Sequence, residues 1–410
     1  MPNIIDYVED YGRYSFAEKP FNEVDSLVFC QLAYLRMDSA AYDHTNTPSA
    51  KSLVDILREG RLSEIFAHVF DVESTKMLCL GVISSRRYQN TRISYYTDKL
   101  DPQQELQFSA VTFTIDGLLT YVAFRGTDQS IVGWKEDFNM LFMENVPSQL
   151  EAAAYLALVG EQTDGPLIIG GHSKGGNLAL YASSKCAPSI KNRIERIYNH
   201  DGPGFRDDFI KTEEYASIAA KVHKTLPRTA MIGLLFSKNE EYHVVESSAF
   251  GIYQHDPFNW LVQEDKFKYV YGIDAQAVLL SEVIIKWLEK VDEEKRKKLI
   301  EALYKIVAST EASNLQDMKE NWQRSALTLI KAARDLDAPT FKFVKDTLGM
   351  LIPLSYKTAK EIPLLKPKCF YCGKKMYYTK LMQKDGAHAF YCTGCGRIFT
   401  ERSEAELQKN

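Results

Sequence analysis

Ser173 stands in Gly171-His172-Ser173-Lys174-Gly175, directly after the apolar run Pro166-Leu167-Ile168-Ile169-Gly170 and before the helix-forming Asn177-Leu178-Ala179-Leu180-Tyr181-Ala182. Strand, tight turn and helix in that order make a nucleophile elbow. The turn lifts the Ser173 hydroxyl above a sheet and sets the Lys174 amide at a helix N-terminus, where it can hold an oxyanion. A glycine-rich turn with a structural serine is the other reading of these five residues. Serine chemistry needs four further parts: a second oxyanion donor, a base, a group that orients the base, and a dry site. Phe124-Arg125-Gly126-Thr127 supplies the first: a strand ends, a glycine permits close approach, and Thr127 offers its N–H.

Eight histidines are available as the base. His172 lies inside the elbow beside the serine, and its side chain should point away from the site. His44 and His68 precede the sheet, His200 and His223 lie near strand ends, and His243 lies within a strand-like run. His388 falls in a cysteine-rich tail. His255, in Tyr253-Gln254-His255-Asp256-Pro257-Phe258, follows the last core strand, as the order serine, acid, histidine requires. The orienting acid is Asp201, at the end of the strand after the nucleophile helix. Asp256 adjoins His255 and should point elsewhere. A turn-forming role before Gly202-Pro203-Gly204 is the plainer reading of Asp201.

A second chemistry lies near the end of the chain. Cys369-Phe370-Tyr371-Cys372-Gly373 and Cys392-Thr393-Gly394-Cys395-Gly396 are two Cys-x-x-Cys pairs with nineteen residues between them. This is the spacing of a four-cysteine zinc ribbon. Four thiolates close a tetrahedral shell, so the metal is structural, one per chain; a rubredoxin-type iron site is the alternative. Lys366, Lys368, Lys374, Lys375, Lys380, Lys384 and Arg397 make the ribbon basic against Asp385, with Tyr371, Tyr377 and Tyr378 interleaved. That suits nucleic acid or an acidic protein partner. A docking or capping module is the other reading.

These groups need a frame. Val24, Leu27, Val28, Leu32 and Leu35 predict an amphipathic helix over 21–35, and a second is expected over 62–69. Gln107 to Ile115 and Leu118 to Phe124 read as strands joined by the Asp116-Gly117 turn. Helices are expected over 131–141 and 148–159, then the elbow strand, then a strand over 196–200. Strands alternating with helices predict an α/β fold with a mainly parallel sheet covered on both faces. From 275 to 354 the strand pattern gives way to helical spacing at Ile284, Leu288, Leu299, Leu303 and Ile306. Pro363 and Pro367 suggest a linker. The expected units are 1–270, an α/β-hydrolase domain; 271–362, a helical region; and 363–402, the ribbon.

The 410 residues suit one large domain with an appendage, and 45% hydrophobic with 25% charged residues is an ordinary soluble composition. A net charge of −4 implies no global attraction to nucleic acid or membrane. No signal peptide and no apolar run of about 18 residues is seen. Cys30, Cys79 and Cys186 read as buried thiols, which with the metal-spaced four suggests a cytoplasmic setting.

Phe124-Arg125-Gly126-Thr127-Asp128, then Trp134 and Asp137, then Gly171-His172-Ser173-Lys174-Gly175-Gly176 together resemble the class-three lipases. The chain is most similar to a bacterial, lipase-like branch, the Mbeg-like family. Asp201-Gly202-Pro203-Gly204-Phe205, Gln254-His255-Asp256-Pro257-Phe258-Asn259-Trp260, Asn3-Ile4-Ile5-Asp6-Tyr7 and Phe21-Asn22-Glu23-Val24-Asp25 extend the likeness over residues 1–265. The resemblance implies an α/β-hydrolase fold with Ser173, His255 and Thr127 in the family roles. The chain departs from lipases proper at Lys224-Thr225-Leu226-Pro227, where they carry an Asp. The expected function is that of a serine esterase acting on an ester or lipid-like molecule, with Ser173, His255, Asp201, Thr127 and Lys174 as its site. A hydrolase-like scaffold working through its ribbon is the alternative.

Overall fold

The computed structural model describes residues 1–37 and 51–302, apart from positions 68, 116, 129, 141–142, 144, 238–239, 271, 293, 296–297 and 300. It then describes 338–350, 354–355, 369, 371–374, 376–379 and 389–400. His44, His68 and His388, the linker around Pro363 and Pro367, Leu303 and Ile306, and Lys375, Lys380, Lys384 and Asp385 of the basic ribbon lie outside the described residues.

Among the described residues nine strands form the main sheet, in the order β1-β2-β3-β4-β5-β6-β7-β8-β11. They are β1 (Lys51–Ser52), β2 (Arg92–Asp101), β3 (Leu106–Ile115), β4 (Leu119–Phe124), β5 (Leu167–His172), β6 (Ile194–His200), β7 (Val222–Pro227) and β8 (His243–Val245). A small hairpin of β9 (Val262–Gln263) and β10 (Lys266–Phe267) precedes the edge strand β11 (Tyr269–Val270). β4 to β8 are parallel, and antiparallel strands flank them on both sides. The centre reads as unbroken apolar sequence because helices cover both its faces. On one face Phe29 stacks on Phe113 at 4.6 Å between ring centroids, beside Tyr121 and Tyr88. On the other, Leu156, Leu178 and Leu180 bury Val122, Ile169 and Ile197. A parallel centre, crossover helices and a strand–turn–helix elbow constitute an α/β-hydrolase fold.

The predicted helix over 21–35 forms at Glu23–Leu32, capped by Asn22. That over 62–69 shortens to Leu62–Ile65, with no side-chain cap at Arg61. β3 and β4 pair antiparallel, as the predicted hairpin requires. β2, with no clean alternation and a bulge at Ser94/Thr97, and the helices Ile4–Tyr11 and Val72–Ser84 add to the expected set. Asp25 anchors this N-terminal layer. It pairs with Arg87 at full burial and also accepts from Tyr88 (2.5 Å) and Tyr7 (3.2 Å). Downstream lie the helices Ala275–Lys290 and Ala338–Gly349. The three strands β12 (Met376–Thr379), β13 (Ala389–Cys392) and β14 (Ile398–Thr400) form an antiparallel sheet with the cysteines at its end. Among the described residues no helix is long and apolar enough to cross a membrane.

Candidate active site and metal centre

Sheet register brings three chain crossings together. Gly171 of β5 lies opposite Phe124 of β4, and His172 opposite His200 of β6. The Ser173 N–H donates to the His200 carbonyl, and the Asp201 N–H to the Thr225 carbonyl. The loops after β4, β5 and β6 therefore leave the sheet at one level, at the carboxyl edge where open α/β sheets place their ligands.

Ser173 sits at φ +57°, ψ −131°, a strained conformation for a residue with a side chain. The helix Lys174–Lys185 starts directly after it, so the Lys174 N–H is among the free donors of a helix N-terminus. A side chain at Gly171 would run into the Gly175 backbone, which is why the turn needs glycine there. Gly126 is needed for a different reason. A Cβ there would lie 2.6 Å from the His172 carbonyl oxygen and 3.2 Å from the Ser173 Cβ, and would collide with the Tyr34 hydroxyl. The loop after β4 thus passes directly against the serine. Arg125, buried, fixes that loop through Asp98 of β2 (2.8 Å) and Asp128 (3.3 Å). Thr127 Oγ1 donates to the Asp137 carboxylate, 2.5 and 2.6 Å from its two oxygens. Burial pushes the Asp137 carboxyl up to about 6, against the pull of Lys174 and of the Thr127 bond.

His255 Nδ1 lies 2.6 Å from Asp201 Oδ2. Asp201 is fully buried, and His255 keeps 24% of its side chain exposed. The other carboxylate oxygen of Asp201 accepts the Gly233 N–H at 3.2 Å. Burial raises the Asp201 carboxyl above the ordinary range, while the His255 hydrogen bond, His255 itself and Lys224 oppose it. Asp201, like Ser173, is a non-glycine residue at positive φ (+53°). Asp256 instead caps the following 3-10 turn, accepting from Phe258 N at 3.0 Å.

His172 differs from expectation. Its ring packs 4.7 Å from the His255 ring. Its Nε2 is 2.9 Å from the His255 carbonyl oxygen, so Nε2 carries the proton, and Nδ1 accepts from Tyr34 at 3.3 Å. Burial holds its pKa well below the usual histidine value, so the ring is neutral. The residue thus braces the His255 loop against the elbow. His200 is buried, bonded to Ser26 at 2.9 Å. His223 and His243 stack on each other at 4.7 Å near Tyr269, away from this cluster. The sequence did not mark Asp98, which pairs with Arg125, Tyr34, which bonds His172, or Gln107 and Glu136, which accept from the buried Lys174 ammonium. No motif marks them, because each acts from a different element.

In the tail, Cys369 and Cys395 sulfurs lie 3.5 Å apart and those of Cys372 and Cys392 3.3 Å apart, with all four within 4.8 Å of one another. Four sulfurs at ~2.3 Å from one tetrahedral ion would stand about 3.8 Å apart. The donor set therefore fits one metal ion with a closed shell. The two pairs fold alike: Cys369 N bonds Lys374 O and Gly373 N bonds Cys369 O, as Cys392 N bonds Arg397 O and Gly396 N bonds Cys392 O. Gly373 and Gly396 take φ of +68° and +71° to make these turns. The Arg228 guanidinium, directly after β7, lies over the Tyr377 ring at 4.2 Å.

A model of the Mbeg1-like family matches residues 82–305, more than half of the chain. No curated protein matches it. Among solved structures the chain is similar to one described as the crystal structure of M37 lipase. The identity is 13% and the TM-score 0.34, over 53% of this chain and 71% of that one.

Proposed function

This chain belongs to the Mbeg1-like family, and from that premise we propose that it is a serine hydrolase that cleaves a carboxylic ester through an acyl-enzyme on Ser173. The observation that carries this reading is the 2.6 Å His255–Asp201 bond, set on strand ends level with a serine in an elbow turn. Ser173 Oγ attacks the ester carbonyl carbon and its proton passes to His255 Nε2. Asp201 holds Nδ1–H, fixing the tautomer that leaves Nε2 free, and stabilises the imidazolium that forms. The Lys174 and Thr127 N–H groups take the oxyanion. The C–O bond to the alcohol breaks, and the alcohol leaves with the proton from His255. Water then attacks the acyl group, His255 takes its proton, and Ser173 recovers that proton as the acid departs.

Labelling with a serine-directed fluorophosphonate tests this. Wild-type protein should be labelled and Ser173→Ala should not, with an esterase rate at least ~10³-fold lower. Equal labelling of the alanine variant would move the nucleophile elsewhere. No labelling of folded wild-type protein would favour a scaffold without activity.

For the tail we propose zinc, held by Cys369, Cys372, Cys392 and Cys395. It would supply folding energy to a unit too small to bury a core of its own, with no ligand position left for catalysis.

A further inference from the structure

Lys174 has a backbone amide in the oxyanion hole of the reading above, and its side chain does something that reading does not use. The ammonium is buried, with 2% of the residue exposed. It turns away from Ser173 and donates three hydrogen bonds: to the Gln107 carbonyl (2.8 Å), to Gln107 Oε1 (2.6 Å) and to Glu136 Oε2 (2.9 Å). Every N–H is satisfied. Glu136, with no exposed surface, accepts from Gln107 N at 3.1 Å and from Ser148 N, in the first turn of the helix Pro147–Gln162, at 2.9 Å. This one carboxylate ties the start of β3, the start of Pro147–Gln162 and the start of Lys174–Lys185 to the helix Ile131–Met140.

The next residue on that helix is Asp137, which holds Thr127 Oγ1. Adjacent acids on one rigid helix thus grip the two residues whose amides face the oxyanion. Stability alone does not account for the Glu136 arm, because a buried ion pair contributes little net stability over apolar residues of the same volume. Its geometry does account for a fixed distance between two donors.

We propose that Glu136 is a positioning residue for the oxyanion hole, acting through the Lys174 ammonium so that the Lys174 and Thr127 amides are held at one spacing. This rests on the serine-hydrolase reading.

The test removes both charges together, so that no lone charge is stranded. Lys174→Met with Glu136→Gln keeps one oxygen, which can serve either the Ser148 or the Gln107 N–H, because the two donate to separate carboxylate oxygens in the wild type. Wild-type and variant protein are compared for melting temperature, for KM and kcat on a p-nitrophenyl butyrate series, and for the rate of Ser173 phosphonylation. The expected result is a variant that still melts cooperatively, with KM within ~2-fold, and kcat and phosphonylation each lower by ~10- to 10²-fold, the scale of a displaced catalytic group. Glu136→Asp keeps both charges and moves only the anchor; it should also lower kcat with KM unchanged. A folded variant of either kind with wild-type kcat overturns the proposal and leaves the serine reading intact. Wild-type protein that neither takes the phosphonate nor hydrolyses the ester overturns both.

Discussion

Asp201→Asn separates a carboxylate that orients a base from one that shapes a turn. The new side chain matches the old in size, and the structure dictates which way it faces. The Gly233 N–H at 3.2 Å demands an acceptor, so the Asn oxygen takes the place of Oδ1 and the amide nitrogen faces His255. That nitrogen can only donate, so Nδ1 must accept, and the imidazole proton moves to Nε2. The base then meets the Ser173 hydroxyl with a proton already in place. The loss expected from a wrong tautomer plus the lost imidazolium partner is ~10⁴-fold in kcat, or about 5 kcal/mol of transition-state energy. Stability should move the other way. Burial raises the Asp201 pKa in the folded protein above its unfolded value. Such a carboxyl costs nothing below the unfolded value, and its cost grows as pH rises through the interval up to the folded one. The cost is therefore larger at pH 7 than at pH 4, and the neutral amide removes it. The assay pairs kcat on p-nitrophenyl butyrate with thermal melts at pH 4 and pH 7. A folded Asn variant within ~10-fold of wild-type kcat would refute the argument. So would a melting temperature lowered more at pH 7 than at pH 4.

His255→Ala should abolish hydrolysis, while His223→Ala and His243→Ala retain it; ester kinetics on the three variants decide. Asp25→Ala leaves the Arg87 guanidinium buried without its partner and should cost ~3–5 kcal/mol in urea unfolding. A loss below ~1 kcal/mol would mean that water reaches Arg87. Metal analysis should find one zinc per chain, falling to none when residues 366–410 are removed, with phosphonylation of Ser173 largely retained. Iron in place of zinc would correct the metal. Lost labelling in a folded truncation would mean that the Tyr377 contact on Arg228 supports the site.

Local signals made much of this molecule legible. The elbow is visible in sequence because a strained turn admits few residue types, and the hairpin because its turn places Gly117 at φ +72°. The cluster of four cysteines is visible because two Cys-x-x-Cys pairs stand out by their spacing. The α/β pattern follows from alternating periodicities for the same reason: each strand, helix, turn or Cys-x-x-Cys pair carries its signal within its own short stretch of chain. What the sequence left open was which distant groups meet. Asp201 and Asp256 were both available to His255, and only the level ends of β5, β6 and β7 put Asp201 at 2.6 Å while Asp256 caps a turn. Asp98, Tyr34, Gln107 and Glu136 carry no motif at all. They reach the site through sheet register and helix packing, so their partners lie tens to more than a hundred residues away and were decided by the tertiary structure alone.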